Sequence, residues 1–249
     1  MITYLTLTRR ELGSFFVSFI GYVVLAIAAL LMGLCFVILV SSLEHLPLSL
    51  SILDLFLNFF FWMILLFSAP VITMRLFALE KSLGTFETLM TAPVNDFQVI
   101  CAKFTAALVF YMILWLPLLL YIVLLRYFTN TPNIADAGAL EGMFLGIFLL
   151  GCLYMAMGCF ASALTKNQII AAMISFAMGL GLYSLSFVAE HFPLQQTWAN
   201  EILSSASVRA HLQNFSHGII DTRAVVFYAS LTVFFLFLTH RAVESRRWK

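Results

Sequence analysis

The sequence predicts an all-α, polytopic membrane protein with six transmembrane helices in a single domain. Three observations carry this. The chain is 63% hydrophobic and only 10% charged, with a mean hydropathy of +1.02, far from the balance of a soluble globular domain. Its apolar runs recur at a length that suits a bilayer core, which needs about 20 residues of helix. Asp, Glu, Lys, Arg and His fall between those runs or at their ends rather than at their centres, as the cost of a charge in hydrocarbon requires.

The elements follow in order. In residues 1–14, Ile2, Leu5, Leu12 and the following Phe16 recur at near-helical spacing with Arg9, Arg10 and Glu11 between them, which predicts an interfacial helix. The run 15–40 exceeds the roughly 7–15 apolar residues of a signal peptide and is read as an uncleaved first span. Further spans are expected at 55–74, 104–125, 141–164, 168–189 and 224–240. Pro70 and Pro117 predict kinks in the second and third spans. Thr165-Lys166-Asn167 makes a tight hairpin between the fourth and fifth, with Thr165 and Gln168 at capping-box spacing. Neither tandem repeats nor low-complexity segments are visible, so residues 1–249 are read as one membrane domain.

The loop 75–103 is the most polar stretch between two apolar blocks. Phe86, Leu89 and Met90 stand at i, i+3 and i+4, with Thr85, Glu87, Thr88 and Thr91 around them, the pattern of a short amphipathic helix. Pro93 ends it. Asn95, with Gln98 three residues on and Asp96 beside it, reads as the cap of the next helix. Glu80 and Glu87 share a side if one helix runs through both. On composition alone such a loop is either an ordered docking element or a solvated connector.

Orientation follows from the basic residues near span ends. With the N-terminus inside, ten Lys and Arg lie on the inner side and three (Arg126, Arg209 and Arg223) on the outer side. The bias places both termini and the loop 75–103 in the cytoplasm. The outer side then holds the segments 41–54 and 126–140 and a longer one at 190–223. In the last, Trp198, Ile202, Leu212 and Phe215 share one side of a helix, which either packs the bundle at the interface or faces a pathway.

The chemistry present excludes several functions. G-x-x-x-x-G-K-[ST], H-E-x-x-H and G-x-S-x-G are all missing, so the chain carries no phosphate cradle, zincin site or nucleophile elbow. No acidic or basic run points to nucleic acid. His45, His191, His211, His217 and His240 lie in loops or at span ends and read as solvated; His211, His217 and Asp221 fit no strong zinc pattern. Cys35, Cys101, Cys152 and Cys159 read as small buried hydrophobes. Gly142 and Gly146, continued by Gly151, Gly158 and Ser162, form a small-residue face suited to close helix packing, within the subunit or across a dimer. With no ionisable residue at a span centre, ion-coupled transport is disfavoured, and the energy source is expected outside this chain.

Glu80-Lys81, Gly84-Thr85, Glu87, Leu89 and Pro93, followed by Lys103 and an apolar run, resemble the E-[KR]-x-x-G-T-x-E-x-L-x-x-x-P … K loop of type-2 ABC transporter permeases. The likeness is greatest to the Gld gliding-motility branch and its nitrous-oxide-cluster relatives. Arg10-Glu11-Leu12 with Ser18 and Tyr22-Val23 resemble the N-terminal motif of that family. Asn214-Phe215, Gly218, Asp221 and Glu244 to Trp248 resemble its C-terminal end. Phe19 stands where the family usually has Pro, and Ala102 where it often has Gly. The resemblance implies the permease subunit of an ATP-driven exporter in a bacterial inner membrane. It implies a separate ATP-binding subunit that holds ATP and Mg, a second permease subunit (identical or different) and an extracytoplasmic accessory partner. No cofactor is expected in this chain. ATPase coupling is expected at Glu80, Gly84, Thr85, Glu87 and Pro93, with Arg10 and Glu11 contributing to the same surface, and the short outer helices near the exit of the pathway. A non-ABC scaffold or assembly factor is the alternative, and a secondary transporter stands behind it.

Overall fold

The apolar runs fold as helices, and no strand occurs among the described residues. The computed structural model describes residues 2–42, 60–85, 95–129, 137–191 and 207–245. Its helices are α1 (Ile2–Val17), α2 (Phe19–Ser42), α3 (Phe60–Thr73), α4 (Ala78–Leu83), α5 (Asp96–Leu114), α6 (Leu116–Thr129), α7 (Ala137–Leu164), α8 (Gln168–His191), α9 (Val208–Ser216) and α10 (Thr222–Glu244). Six stretches are long and apolar enough to cross a membrane: Phe19–Ile38, Phe60–Leu83, Asp96–Leu124, Gly138–Leu164, Gln168–Ala189 and Thr222–Glu244.

Several boundaries differ from the sequence reading, each for a local reason. The first span begins at Phe19, not at residue 15, because the chain bends at Ser18. Arg75 donates to the Ser18 hydroxyl across the fold. The bend also brings the Phe15 carbonyl so close to Gly21 that a Cβ there would lie 2.2 Å from it. Glycine at position 21 admits this close approach. The third span starts at Asp96 and divides at Trp115, where i→i+3 bonds replace helical ones: Trp115 N–H to Met112 and Leu118 N–H to Trp115, both 3.1 Å. Pro117 lacks an N–H and crowds the carbonyl four residues back, which ends α5 just before it. Pro70, by contrast, sits inside α3, and the chain leaves helix only at 74–77. At the hairpin 165–167 the cap of α8 is Asn167, whose side chain accepts from Ile169 N–H at 2.9 Å. Thr165 accepts from Asn167 instead of capping the helix.

α7 is the centre of the bundle. Of its span window, 72% is buried, against 22% for α2, α8 and α10. It packs against α10, α8, α9, α5 and α3. The small-residue face makes this possible within the subunit: a Cβ at Gly151 would meet the Tyr111 ring at 2.3 Å, and one at Gly158 would meet Thr73 Oγ1 at 2.1 Å. Outside this core the surface stays apolar, with Phe19, Ile27, Leu30 and Val37 exposed on α2 and Val226, Val233 and Phe237 on α10. So extended an apolar surface suits hydrocarbon rather than water.

Candidate functional site

The second span does not stop at Thr73. After the turn 74–77 it continues as the short α4, and the loop motif begins there. Gly84 ends α4 with φ 73°, a left-handed stop that suits glycine. Glu80 and Lys81 are neighbours on α4, so their side chains leave it about 100° apart. They reach different helices. Glu80 Oε1 accepts from Lys103 Nζ of α5 at 2.7 Å, and Lys81 donates to the Ala163 carbonyl at the end of α7.

α5 starts at Asn95, whose side chain accepts from Phe97 N–H at 3.2 Å; the expected cap is present, on the second helical residue rather than on Gln98. Two turns further on, Lys103 is buried, only 1% exposed. A charge there needs partners, and it has two carboxylates: Glu80 at 2.7 Å and Glu11 of α1 at 3.2 Å. The Phe77 ring lies 5.5 Å from the ammonium. Arg10 extends the cluster, 3.0 Å from Glu11 and 3.9 Å from Glu80. α1 is held there by further contacts with α5. Tyr4 donates to Thr105 Oγ1 at 3.0 Å, and Phe15 stacks on Phe110 at 5.0 Å.

These side chains border a cleft of about 660 Å³, lined by Arg10, Glu11, Arg75, Glu80, Thr85 and Lys103 among others. Glu80 Oε2 is buried and has no hydrogen-bond partner among the described residues.

Of the residues the sequence singles out, the structure gathers Arg10, Glu11, Glu80 and Thr85 around one cleft and puts Gly84 at the helix stop beside it. Glu87 and Pro93 lie outside the described residues, as do Trp198 and Ile202. Gly84 ends the helix that carries Glu80, so the single helix on which a shared side with Glu87 was conditional is interrupted there. Lys103 is the residue that sequence reasoning undervalued: it reads as an inner-side cation at a span end and is instead the buried centre of the cluster. Lys81 and Ser162 were likewise not singled out for this site. The available signal is that Lys81 and Lys103 both stand in the family motif.

At the opposite end of α7, α9 seats Leu212 and Phe215 in the core. His211 is not solvated as expected. It is buried against Phe227 and Tyr228, each 5.8 Å away between ring centres, and its Nδ1 has no hydrogen-bond partner among the described residues. Burial holds its pKa below the ordinary histidine value, and the Asp221 charge opposes that in part. Among the described residues, no group of His, Cys, Asp and Glu is arranged to hold a metal ion.

No curated protein matches the chain. A family model does: the one described as ABC-2 family transporter protein matches residues 46–239, well over half of the sequence, from ahead of the second span into the sixth. With six helices long and apolar enough to span a bilayer, the chain belongs to the ABC-2 transporter family and is a membrane-spanning permease subunit of an ABC transporter.

Proposed function

We propose that this chain is the membrane subunit of an ATP-driven exporter, and that α1, α4 and the start of α5 form the surface that engages its ATP-binding subunit. Family membership implies an ATP-binding partner. The observation that carries the assignment of the surface is the Lys103 cluster. Arg10, Glu11 and Glu80, distant in sequence, meet around one buried lysine at the edge of an open cleft. Arg10, the exposed member of the cluster beside Glu11 and Glu80, suits an acidic side chain or a carbonyl of the ATP-binding subunit. Gly84, Thr85, Glu87 and Pro93 continue the surface, on the strength of the loop resemblance.

The outward direction of transport, the Gld-like branch, a second permease subunit and an extracytoplasmic accessory partner rest on the same resemblance. The inner-membrane location rests on that resemblance too, and the cytoplasmic placement of both termini on the basic-residue bias. The distribution of buried charge agrees with an external energy source. Among the described residues the buried lysines, Lys81 and Lys103, both stand at the α4 end of the bundle.

The test is purification of the chain from its native membrane in mild detergent, with bound partners identified. An ATP-binding subunit is expected to accompany it and to be lost in Glu87→Lys, while helical content and elution position stay those of the parent. Retention of the ATPase by Glu87→Lys at the parental level would overturn the assignment of the loop, and absence of any ATPase from the parent complex would overturn the function.

A further inference from the structure

We propose that α7 is the rod that carries movement of α4 to α9, and that Ser162 and Lys81 are the positioning residues fastening α4 to it. The inference rests on the reading above that α4 belongs to the ATPase-engaging surface.

The first N–H groups of a helix have no partner within it, and α4 begins at Phe77, which has no side chain able to cap it. A residue of another helix does the work. Ser162 Oγ, 0% exposed, accepts from Phe77 N–H at 3.0 Å and from Ala78 N–H at 3.1 Å, and donates to the Met74 carbonyl at 3.2 Å. All the capacity of that hydroxyl is used on the turn and start of α4. Lys81 adds a second tie, donating to the Ala163 carbonyl at the C-terminal end of α7. Just before that end, Gly158 lets the Thr73 side chain lie directly on α7.

The other end of α7 is joined as tightly to α9, by backbone contact. A Cβ at Gly142 would lie 2.3 Å from the Phe215 carbonyl oxygen, and one at Gly146 would lie 2.9 Å from Leu212 Cδ1 and 3.0 Å from Phe215 Cδ2. Gly218, at φ 77°, turns the chain back over Gly138 and Ala139. From Gly142 to Ser162 is about 30 Å of helix at 1.5 Å per residue, unbroken throughout. Two of its neighbours are divided, the second span at 74–77 and the third at Trp115; α8 and α10 are continuous, but the close glycine contacts with Thr73 at one end and with α9 at the other belong to α7. A close-packed helix fixed at both ends passes a displacement along its length; a divided one absorbs it at the joint.

The test is hydrogen–deuterium exchange of the complex with its ATP-binding subunit, with and without a non-hydrolysable ATP analogue. In the parent the analogue is expected to change exchange in both 78–83 and 208–216, by about threefold or more in the latter. In Ser162→Ala the response at 208–216 should vanish while the complex still assembles, and Ser162→Thr, which keeps the hydroxyl, should restore it. Gly146→Ala, at the far end, should lose the α9 response and keep that of α4. A purely structural role would shift the nucleotide-free baseline and leave the nucleotide-dependent difference intact. An unchanged α9 response in Ser162→Ala and Gly146→Ala would overturn the inference, as would a parent in which α4 responds and α9 does not. Failure of the ATPase to associate would overturn both this and the proposed function, and would already be visible at purification.

Discussion

Replacing Lys103 with methionine should unlock the cluster that holds α1, α4 and α5 together. Lys103 is 1% exposed, and its partners Glu80 and Glu11 are 19% and 13% exposed. At an effective dielectric of about 20, each contact represents roughly 5–6 kcal/mol of gross attraction, largely offset by the cost of drying three charges. The net effect of the substitution comes from what remains: two carboxylates, mostly buried, close together and without their cation. Removing one partner of such a group costs about 3–5 kcal/mol. Arg10 lies near both carboxylates but is 56% exposed, so it compensates weakly, and the low end, about 3 kcal/mol, is expected. For a chain of this length that is a fall in Tm of roughly 6–12 °C. Thermal unfolding in mild detergent, followed by the fluorescence of buried Trp62 and Trp115, reads it. Lys103→Met combined with Glu80→Gln removes one of the stranded charges and should regain much of the loss, since residues in one network do not add. A Lys103→Met chain as stable as its parent, or a double variant no better than the single, would refute the ion-pair reasoning.

Gly158→Ala should lower stability by about 1–3 kcal/mol, because the added methyl would stand 2.1 Å from Thr73 Oγ1 and 2.5 Å from its Cβ; Thr73→Gly in the same chain should recover part of the loss in the same thermal assay. The seat of α9 should weaken in acid. Burial lowers the His211 pKa from 6.5, so the folded chain binds that proton less readily than the unfolded one. Stability therefore falls as pH drops below about 6.5 and levels off beneath the lowered value. Hydrogen exchange across 208–216, corrected for intrinsic rates, should show easier opening at about pH 5.5 than at about pH 7.5, and His211→Gln should remove the difference.

The spans were legible because an apolar run of bilayer length has few other solutions: in lipid its backbone must satisfy itself, as a helix does. Their ends were less so. Thr165 and Asn167 are both good caps, and only packing decided for Asn167. The corner at Ser18 depends on Arg75, 57 positions away. The cleft was half legible. Arg10, Glu11, Glu80 and Thr85 belong to motifs, whereas Ser162 meets Phe77 across 85 positions, and no local spacing announces such a meeting. His211 misled for the opposite reason. It lies in the segment between two spans, so it reads as solvated, yet the face it shares with Leu212 and Phe215 turns inward.

Stability alone does not account for a buried lysine at Lys103, since apolar replacement of whole ion clusters often leaves a fold as stable or more so. What distinguishes the cluster from an apolar contact is its capacity to exchange partners. Glu80 has one oxygen on Lys103 and the other without a hydrogen-bond partner among the described residues, and Arg10 stands 3.9 Å away, within reach of a closer contact. The attachment of α4 to α7 has no such slack: every hydrogen-bonding position of Ser162 is occupied, and Gly158 admits Thr73 without a gap. A helix tied adjustably on one side and rigidly on the other moves with the rigid side. A force applied at Glu80 or Thr85 would thus shift α4 against α1 and α5, where ion pairs can rearrange, and carry α7 with it. The division of labour between Glu80 and Lys81, adjacent residues reaching opposite neighbours, gives α4 both a surface to be pushed and a shaft to push.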